Sequence, residues 1–186
     1  MSCKVMILIG LILVSSMLFG AEKYAVLITA DYADYRGNFQ GSWAQANGND
    51  TRFPMEEFWH DTFLMWELLR NKGYSDENIF VLFADGQDFQ DSYIIDGGRY
   101  VVSEQNPITD YRANLANVEM VLQGLANGNP QENIPQLQED DFLTIWTFDH
   151  EHNKKQYLRN MSNTEFLNLI NKINCRKRII ADMEEK

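Results

Sequence analysis

His150 is the residue of this chain best placed for acid–base chemistry. It ends the segment 140–150 (DDFLTIWTFDH), in which a mostly apolar run is followed by the polar pair Asp149 and His150. An imidazole gains and loses a proton near neutral pH, and so it can take and return a proton during a reaction. Polar side chains at the carboxyl ends of buried strands line the ligand sites of open α/β sheets. The pair therefore predicts a position in an active site.

The patterns that must position this pair alternate between strand and helix along the chain. Continuous apolar runs predict buried strands, and apolar residues at helical spacing predict helices between them. This order favours an α/β fold, with a mostly parallel sheet, helices on both faces and right-handed crossovers. A small surface hairpin (93–95 with 100–102) is expected between the second strand and the second helix. The predicted strands are 24–30, 78–84, 140–150 and 178–184, and the predicted helices are 54–73, 115–128 and 164–173.

Composition restricts the classes of partner. The formal net charge is -11, and the only basic cluster is Arg176-Lys177-Arg178. Nucleic-acid binding is therefore not expected, because it requires a stripe of Lys and Arg side chains that neutralise phosphates.

The N-terminus resembles a secretory signal. Lys4 precedes an apolar stretch from Val5 to Phe19, and the small residues Gly20 and Ala21 follow. The stretch is shorter than the roughly 20 apolar residues that cross a bilayer, so we expect cleavage and no stable membrane anchor. The expected organisation is a signal peptide at 1–20 and one domain at 21–186, secreted or periplasmic. Cys175 is then the only thiol, which leaves no internal disulfide.

Three segments carry a resemblance to a known family. Tyr24 to Ala30, with the helix after it and the segment 74–82 (YSDENIFVL), resembles the opening of the caspase-fold cysteine peptidases. The legumain and gingipain branch is the nearest. The segment 143–150 is similar to the strand that ends in that family's Thr-Asp-His-Gly motif. The segment 178–184 (RIIADME) is similar to the strand before its Glu-x-Cys-x-Ser-Gly motif.

The resemblance implies a caspase-like three-layer α/β/α fold, incomplete at the C-terminus, and cleavage of peptide or protein substrates. It implies that His150 is the catalytic histidine and that the backbone amide of Glu151 donates to the oxyanion. No metal and no cofactor are implied. The end of the chain is also expected to leave Ile179-Ile180-Ala181 on an open sheet edge, where self-association is a risk.

The chain departs from the family pattern at two positions. Glu151 stands where the family has Gly, and Lys186 stands where it has the nucleophilic Cys. Cys175 does not replace that cysteine, since it precedes the last strand and lies about 30 Å from the strand's far end. We therefore expect no nucleophile in this chain, and expect it to be a fragment or inactive alone.

Other interpretations remain open. A non-catalytic module that binds peptides is the main alternative. Asp149, His150, Glu151 and His152 could instead hold a metal with a further ligand. A flavodoxin-like nucleotide binder is disfavoured, because no glycine-rich phosphate loop follows the first strand. Arg36 and Asp61 are candidates for contact with a substrate, although both are typical of a solvated surface. The carboxylates of 85–91 are interpreted as a plain turn.

Overall fold

The structure is a computed structural model that describes residues 20–29, 53–84, 86–88, 107–150 and 161–184. For 53–57, 149–150 and 181–184 it describes the backbone alone. The predicted hairpin at 93–102 and the signal segment 1–19 lie outside the described residues. Within the described residues, no helix is long and apolar enough to cross a membrane.

Four strands form one parallel sheet in the order β2-β1-β3-β4. Their bounds are β1 Lys23–Thr29, β2 Ile79–Phe83, β3 Phe142–His150 and β4 Arg176–Glu184. All seven residues of β1 but Lys23 are buried, as the continuous apolar run predicted for a strand covered on both faces. The α/β prediction with a parallel sheet is confirmed.

Three α-helices flank this sheet in the described part of the chain. Their bounds are α1 Phe53–Asn71, α2 Leu115–Asn127 and α3 Asn163–Asn171. α1 packs on one face, where it contacts Leu27 and Val81, and we call this the α1 face. α2 and α3 pack on the other face against Val26 and Ile145. The sheet is therefore the middle of three layers, with one apolar core on each side of it.

Local sequence signals explain where the helices begin and end. α1 ends before Gly73, which has a φ of +82°, and there the amides of Gly73 and Tyr74 bond to carbonyls of the last helical turn. Glycine adopts this left-handed conformation without steric cost, which is why it ends helices. α3 begins after a capping box, in which the hydroxyl of Ser162 accepts the amide of Glu165 and the Glu165 carboxylate accepts the amide of Ser162.

The amino end of the sheet is held together by a buried carboxylate. Asp141 accepts the amide of Glu22 at 2.9 Å and the amide of Gln138 at 2.7 Å. Its own carbonyl accepts the amide of Arg176 at 2.9 Å. One residue therefore joins the approach to β1, the turn before β3 and the first residue of β4, and so helps to set the register of three neighbouring strands.

The two outer edges of the sheet differ. Along β2, the segment 107–111 is bonded to the strand: the amides of Asp110 and Tyr111 donate to the carbonyl of Val81, and the amide of Phe83 donates to the carbonyl of Tyr111. Along β4, no strand among the described residues pairs with the outer edge. One edge is thus covered and the other is open.

Candidate active site

The candidate site lies where the direction of the chain across the sheet reverses. From β1 the chain crosses the α1 face to β2, and from β2 it returns across the other face to β3, on the far side of β1. The reversal therefore falls between β1 and β3. In open α/β sheets, ligands bind outside the carboxyl ends of the strands at such a point.

His150 is at the carboxyl end of β3, next to this point. The last described residue of β1 is Thr29, which pairs with Phe148, and β3 is described for two more residues, Asp149 and His150. Over those residues β3 is still paired with β4, and His150 is the register partner of Glu184. Neighbouring strands lie about 4.8 Å apart. The backbone thus brings the last described residues of β3 and β4 side by side.

Aromatic side chains form the layer beneath this end of the sheet on the α1 face. Phe148 stacks on Trp146 with ring centroids 5.6 Å apart and meets the edge of Phe58 at 5.2 Å. Trp59 meets Phe83 at 5.1 Å. Offset-stacked and edge-to-face pairs of this kind add stability beyond the area that they bury. Near its carboxyl end, β3 is therefore packed against aromatic side chains of the α1 face.

A buried chain of hydroxyl groups fixes the end of β1 to α1. The Thr62 hydroxyl donates to the carbonyl of Phe58 at 2.6 Å. The Oγ1 atoms of Thr29 and Thr62 are 2.7 Å apart, and since the Thr62 proton is already used, Thr29 is the donor of that bond. The first strand at the candidate site therefore has a fixed position relative to the helix beside it.

An open groove of about 270 Å³ runs along the α1 face beside β3. We call it the α1–β3 groove. Its floor is formed by Trp146 and Phe148, and its wall includes Leu64 and Leu68, which are 39% and 48% exposed. Large apolar side chains exposed side by side are typical of binding surfaces. The groove reaches Phe148, two residues before His150. It is lined by Asp61, Leu64, Met65, Leu68, Trp146 and Phe148.

Among the described residues that line this groove, Asp61 is the one with an acidic side chain. The sequence suggested that it could contact a substrate but favoured a solvated position, and the structure places it, half-buried, among the residues that line the groove. Leu64 and Trp146 were not recognised as site residues. These two residues line the groove because α1 lies across β3. The spacing of apolar residues within α1 does not predict which strand the helix will contact.

Several predicted site residues lie outside the described part of the chain. These are Glu151, the expected oxyanion donor, and also Arg36, His152 and Lys186. The structure describes the backbone of His150 and of Asp149, which places them in the sheet. Their roles therefore stay predictions.

Cys175 lies at the opposite end of the sheet. It immediately precedes β4, and its side chain packs against the core between the sheet and α2 and α3. At about 3.3 Å per residue, the length of β4 separates it by roughly 30 Å from the end of the strand. Burial raises the pKa of its thiol, against the opposing effect of Lys177. A thiol with a raised pKa is a poor nucleophile near neutral pH.

The carboxylates after β2 have structural partners. Asp88 is buried and accepts the amides of Ile108 at 3.1 Å and Thr109 at 2.9 Å. Residues 85 and 89–91 of the predicted turn lie outside the described residues. Asp110 accepts the amide of Val81 at 2.8 Å. Loss of hydration raises the pKa of Asp110 to about 6, and the charge of Asp88 adds to the effect. Within the described residues, no cluster of three His, Cys, Asp or Glu side chains could hold a metal.

Thr147 has a buried hydroxyl that no group in the described structure bonds. The residue is 4% exposed and pairs with Ile28 on one side and Ala181 on the other. An unpaired buried hydroxyl costs stability. Thr144, on the same strand, differs, because its hydroxyl lies 2.8 Å from that of Tyr74.

Comparison with models of known protein families, with curated proteins and with solved structures finds no match for this chain. The described residues thus form an α/β fold with a four-stranded parallel sheet, in which the backbone of His150 lies beside the end of β4.

Proposed function

We propose that this chain forms the histidine-bearing part of a caspase-like cysteine endopeptidase domain of the legumain type, acting on peptide or protein substrates. The observation that supports this proposal is the register between β3 and β4, which sets His150 opposite Glu184 beside the switch point of the sheet. In the family that the sequence resembles, the histidine and the cysteine follow these two strands.

In the proposed reaction, a cysteine thiolate attacks the carbonyl carbon of the peptide bond. His150 gives a proton to the leaving amine as the C–N bond breaks, and a thioester remains. Water then attacks the thioester, His150 accepts its proton, and the thiolate is released. The backbone amide of Glu151 donates to the negatively charged oxygen that forms in each step.

The chain supplies the histidine of this pair without its thiol. Its two cysteines are Cys3 and Cys175. The first belongs to the proposed signal peptide, and the second lies at the wrong end of β4. Cleavage would therefore need a thiol from outside residues 1–186. We also propose that the chain acts outside the cytoplasm, after removal of residues 1–20.

Grafting the missing thiol tests the proposal. The variant Lys186→Cys has a thiol two residues past Glu184, where the family resemblance puts the nucleophile. We expect a peptidyl chloromethyl ketone to alkylate it at least about tenfold faster than chloroacetamide does, after correction for their reactivity with free cysteine, because the peptide is held beside the thiol. Lys177→Cys, at the other end of β4, is the matched control and should show no such preference. Equal preferences in the two variants would contradict the proposal.

A non-catalytic peptide-binding module is the second candidate, and the α1–β3 groove favours it. The groove combines exposed Leu64 and Leu68 with an aromatic floor, which suits apolar side chains of an extended peptide. Leu68→Lys should weaken the binding of a fluorescent peptide, measured by anisotropy. Leu167→Lys is the control, since Leu167 is similarly exposed at 42% but belongs to α3. Peptide binding that is insensitive to Leu68→Lys would remove the groove from consideration.

A further inference from the structure

Among the described residues, none pairs with the outer edge of β4. Arg178 and Ile179 are exposed, Ile179 at 41%, although Ile179 is a large apolar residue in the middle of the strand. At the other side of the sheet, the segment 107–111 covers β2. An edge strand with a free row of backbone donors and acceptors is a template for pairing with another chain. The sequence of β4 indicates which strand can pair with this edge.

We propose that the partner is a second copy of this chain, and that two copies of β4 pair antiparallel about a two-fold axis at Ile180. Such pairing joins the two sheets into one continuous sheet. The proposal does not depend on the function of His150, because it concerns the strand edge that faces away from β3.

The backbone of β4 fixes which residues can make the new hydrogen bonds. The amide of Arg176 donates to the carbonyl of Asp141, so Arg176 bonds inwards towards β3. Alternate residues of a strand in a parallel pair bond to the same neighbour. Arg176, Arg178, Ile180 and the later even-numbered residues thus bond to β3, and the odd-numbered residues turn their amides and carbonyls outwards. These outward residues are Lys177, Ile179, Ala181 and Met183.

An antiparallel register centred on Ile180 uses all of these outward groups. Ile179 then lies opposite Ala181 of the second copy, and Lys177 lies opposite Met183, as hydrogen-bonded pairs. Ile180 meets its own equivalent as a non-hydrogen-bonded pair. In antiparallel sheets the two kinds of pair alternate in just this manner, and side chains of the non-hydrogen-bonded pairs approach more closely.

The charges of β4 fit this register. The strand is basic at its beginning and acidic at its end, with the sequence RKRIIADME. About the axis at Ile180, Arg178 lies opposite Asp182 of the second copy and Arg176 lies opposite Glu184. Each of these opposite-charge pairs occurs twice and falls at a non-hydrogen-bonded position, where such pairs are stabilising.

Other arrangements lose this complementarity. In a parallel, in-register pairing, Arg178 would face Arg178 and Asp182 would face Asp182, which is destabilising. A shift of the antiparallel register by two residues places a charged residue opposite Ile180. Only the register centred on Ile180 pairs both arginines with carboxylates. The sequence of the edge thus favours one geometry and one partner.

The test is the dissociation constant of the dimer, measured by sedimentation equilibrium on the chain as recovered from an exporting host. Arg178→Asp puts two carboxylates opposite each other at both ends of the pairing, and Asp182→Arg does the same with two cations. Each variant alone should raise the dissociation constant by about tenfold or more. Lys177→Asp is the matched control, since that position faces Met183, and it should leave the constant nearly unchanged.

An experiment that mixes the two charge variants distinguishes this register from other dimer interfaces. In an equimolar mixture of the Arg178→Asp and Asp182→Arg variants, each heterodimer again pairs a cation with a carboxylate at both positions, so the mixture should dimerise about as well as the unchanged chain. The double variant Arg178→Asp with Asp182→Arg should recover in the same way. A chain that stays monomeric at every concentration would overturn the proposal, as would variants that weaken the dimer without recovery on mixing.

Discussion

At the scale of single residues, Thr147 and Thr144 of β3 differ in the hydrogen bonding of their hydroxyl groups. Both are buried, but the hydroxyl of Thr144 is 2.8 Å from the Tyr74 hydroxyl, whereas that of Thr147 has no partner in the described structure. Valine has nearly the same shape as threonine and removes the hydroxyl. We expect Thr147→Val to raise the free energy of unfolding by about 1 kcal/mol, because it removes an unsatisfied buried group.

Thr144→Val is the control for that prediction, and it should lower the free energy of unfolding by about 1 kcal/mol because it leaves the Tyr74 hydroxyl without its partner. Denaturant titrations of both variants measure the two changes. A loss of unfolding free energy in Thr147→Val as well as in Thr144→Val would mean that the hydroxyl of Thr147 is satisfied in the protein.

Asp110 gives a prediction about pH. Loss of hydration raises its pKa to about 6, from the ordinary value of 3.8. A carboxyl whose pKa is higher in the folded state stabilises the fold when protonated, and this contribution is lost as the pH rises through the folded pKa. The free energy of unfolding should therefore fall between about pH 4 and pH 6 relative to that of Asp110→Asn. Because Asp110 as a residue is exposed, we expect a smaller effect than for a fully buried carboxyl.

The difference between the chain and Asp110→Asn isolates this group, since all other titrating groups are shared. Asparagine also keeps an oxygen that accepts the Val81 amide. A difference in unfolding free energy that is constant across this pH range would show that the pKa of Asp110 is not raised.

At the scale of elements, the capping box of α3 shows what local sequence can specify. Ser162 and Glu165 bond reciprocally at the start of the helix, and these bonds lower the pKa of Glu165. Ser162→Ala should lower the free energy of unfolding by about 1 kcal/mol. Asn168→Ala, at an exposed position later in the same helix, should not lower it, because alanine favours helix formation. Thermal or denaturant unfolding of the two variants measures both changes. Equal losses of unfolding free energy would argue against a stabilising role of the cap.

The strands and helices were largely predictable because their signals are local. The buried run of β1 and the glycine that ends α1 agree with the structure. The sequence placed the start of β4 at Arg178, whereas the strand begins at Arg176. Two consecutive basic residues do not resemble a strand, and they form one here because the Asp141 carbonyl accepts the Arg176 amide. The start of α3 was expected at Thr164, although the Ser162-to-Glu165 spacing already indicated the cap.

The candidate site was predictable in one part only. That His150 ends a buried strand follows from the sequence, since a polar pair follows an apolar run. The α1–β3 groove could not be predicted, because it forms where Leu64 and Leu68 of one helix lie beside Trp146 of a distant strand. Contacts of that kind depend on how the layers pack, which no periodicity along the chain encodes.

At the scale of the whole molecule, the order of the strands gives the site its position. The sheet order β2-β1-β3-β4 with helices on both faces creates one switch point, and the ends of β3 and β4 lie beside it. The same order leaves β2 covered and β4 open among the described residues. The proposed site at the carboxyl end and the proposed interface at the β4 edge therefore lie on separate parts of the sheet.

We propose that His150 acts on a thiol at the end of β4. The most direct measurement is the pH dependence of alkylation of Lys186→Cys by chloroacetamide, with and without the second change His150→Gln. A neighbouring imidazolium stabilises a thiolate, so the single variant should react with a midpoint at least about one pH unit below that of the double variant. Coinciding midpoints, near the ordinary cysteine pKa of about 8.5, would contradict the account.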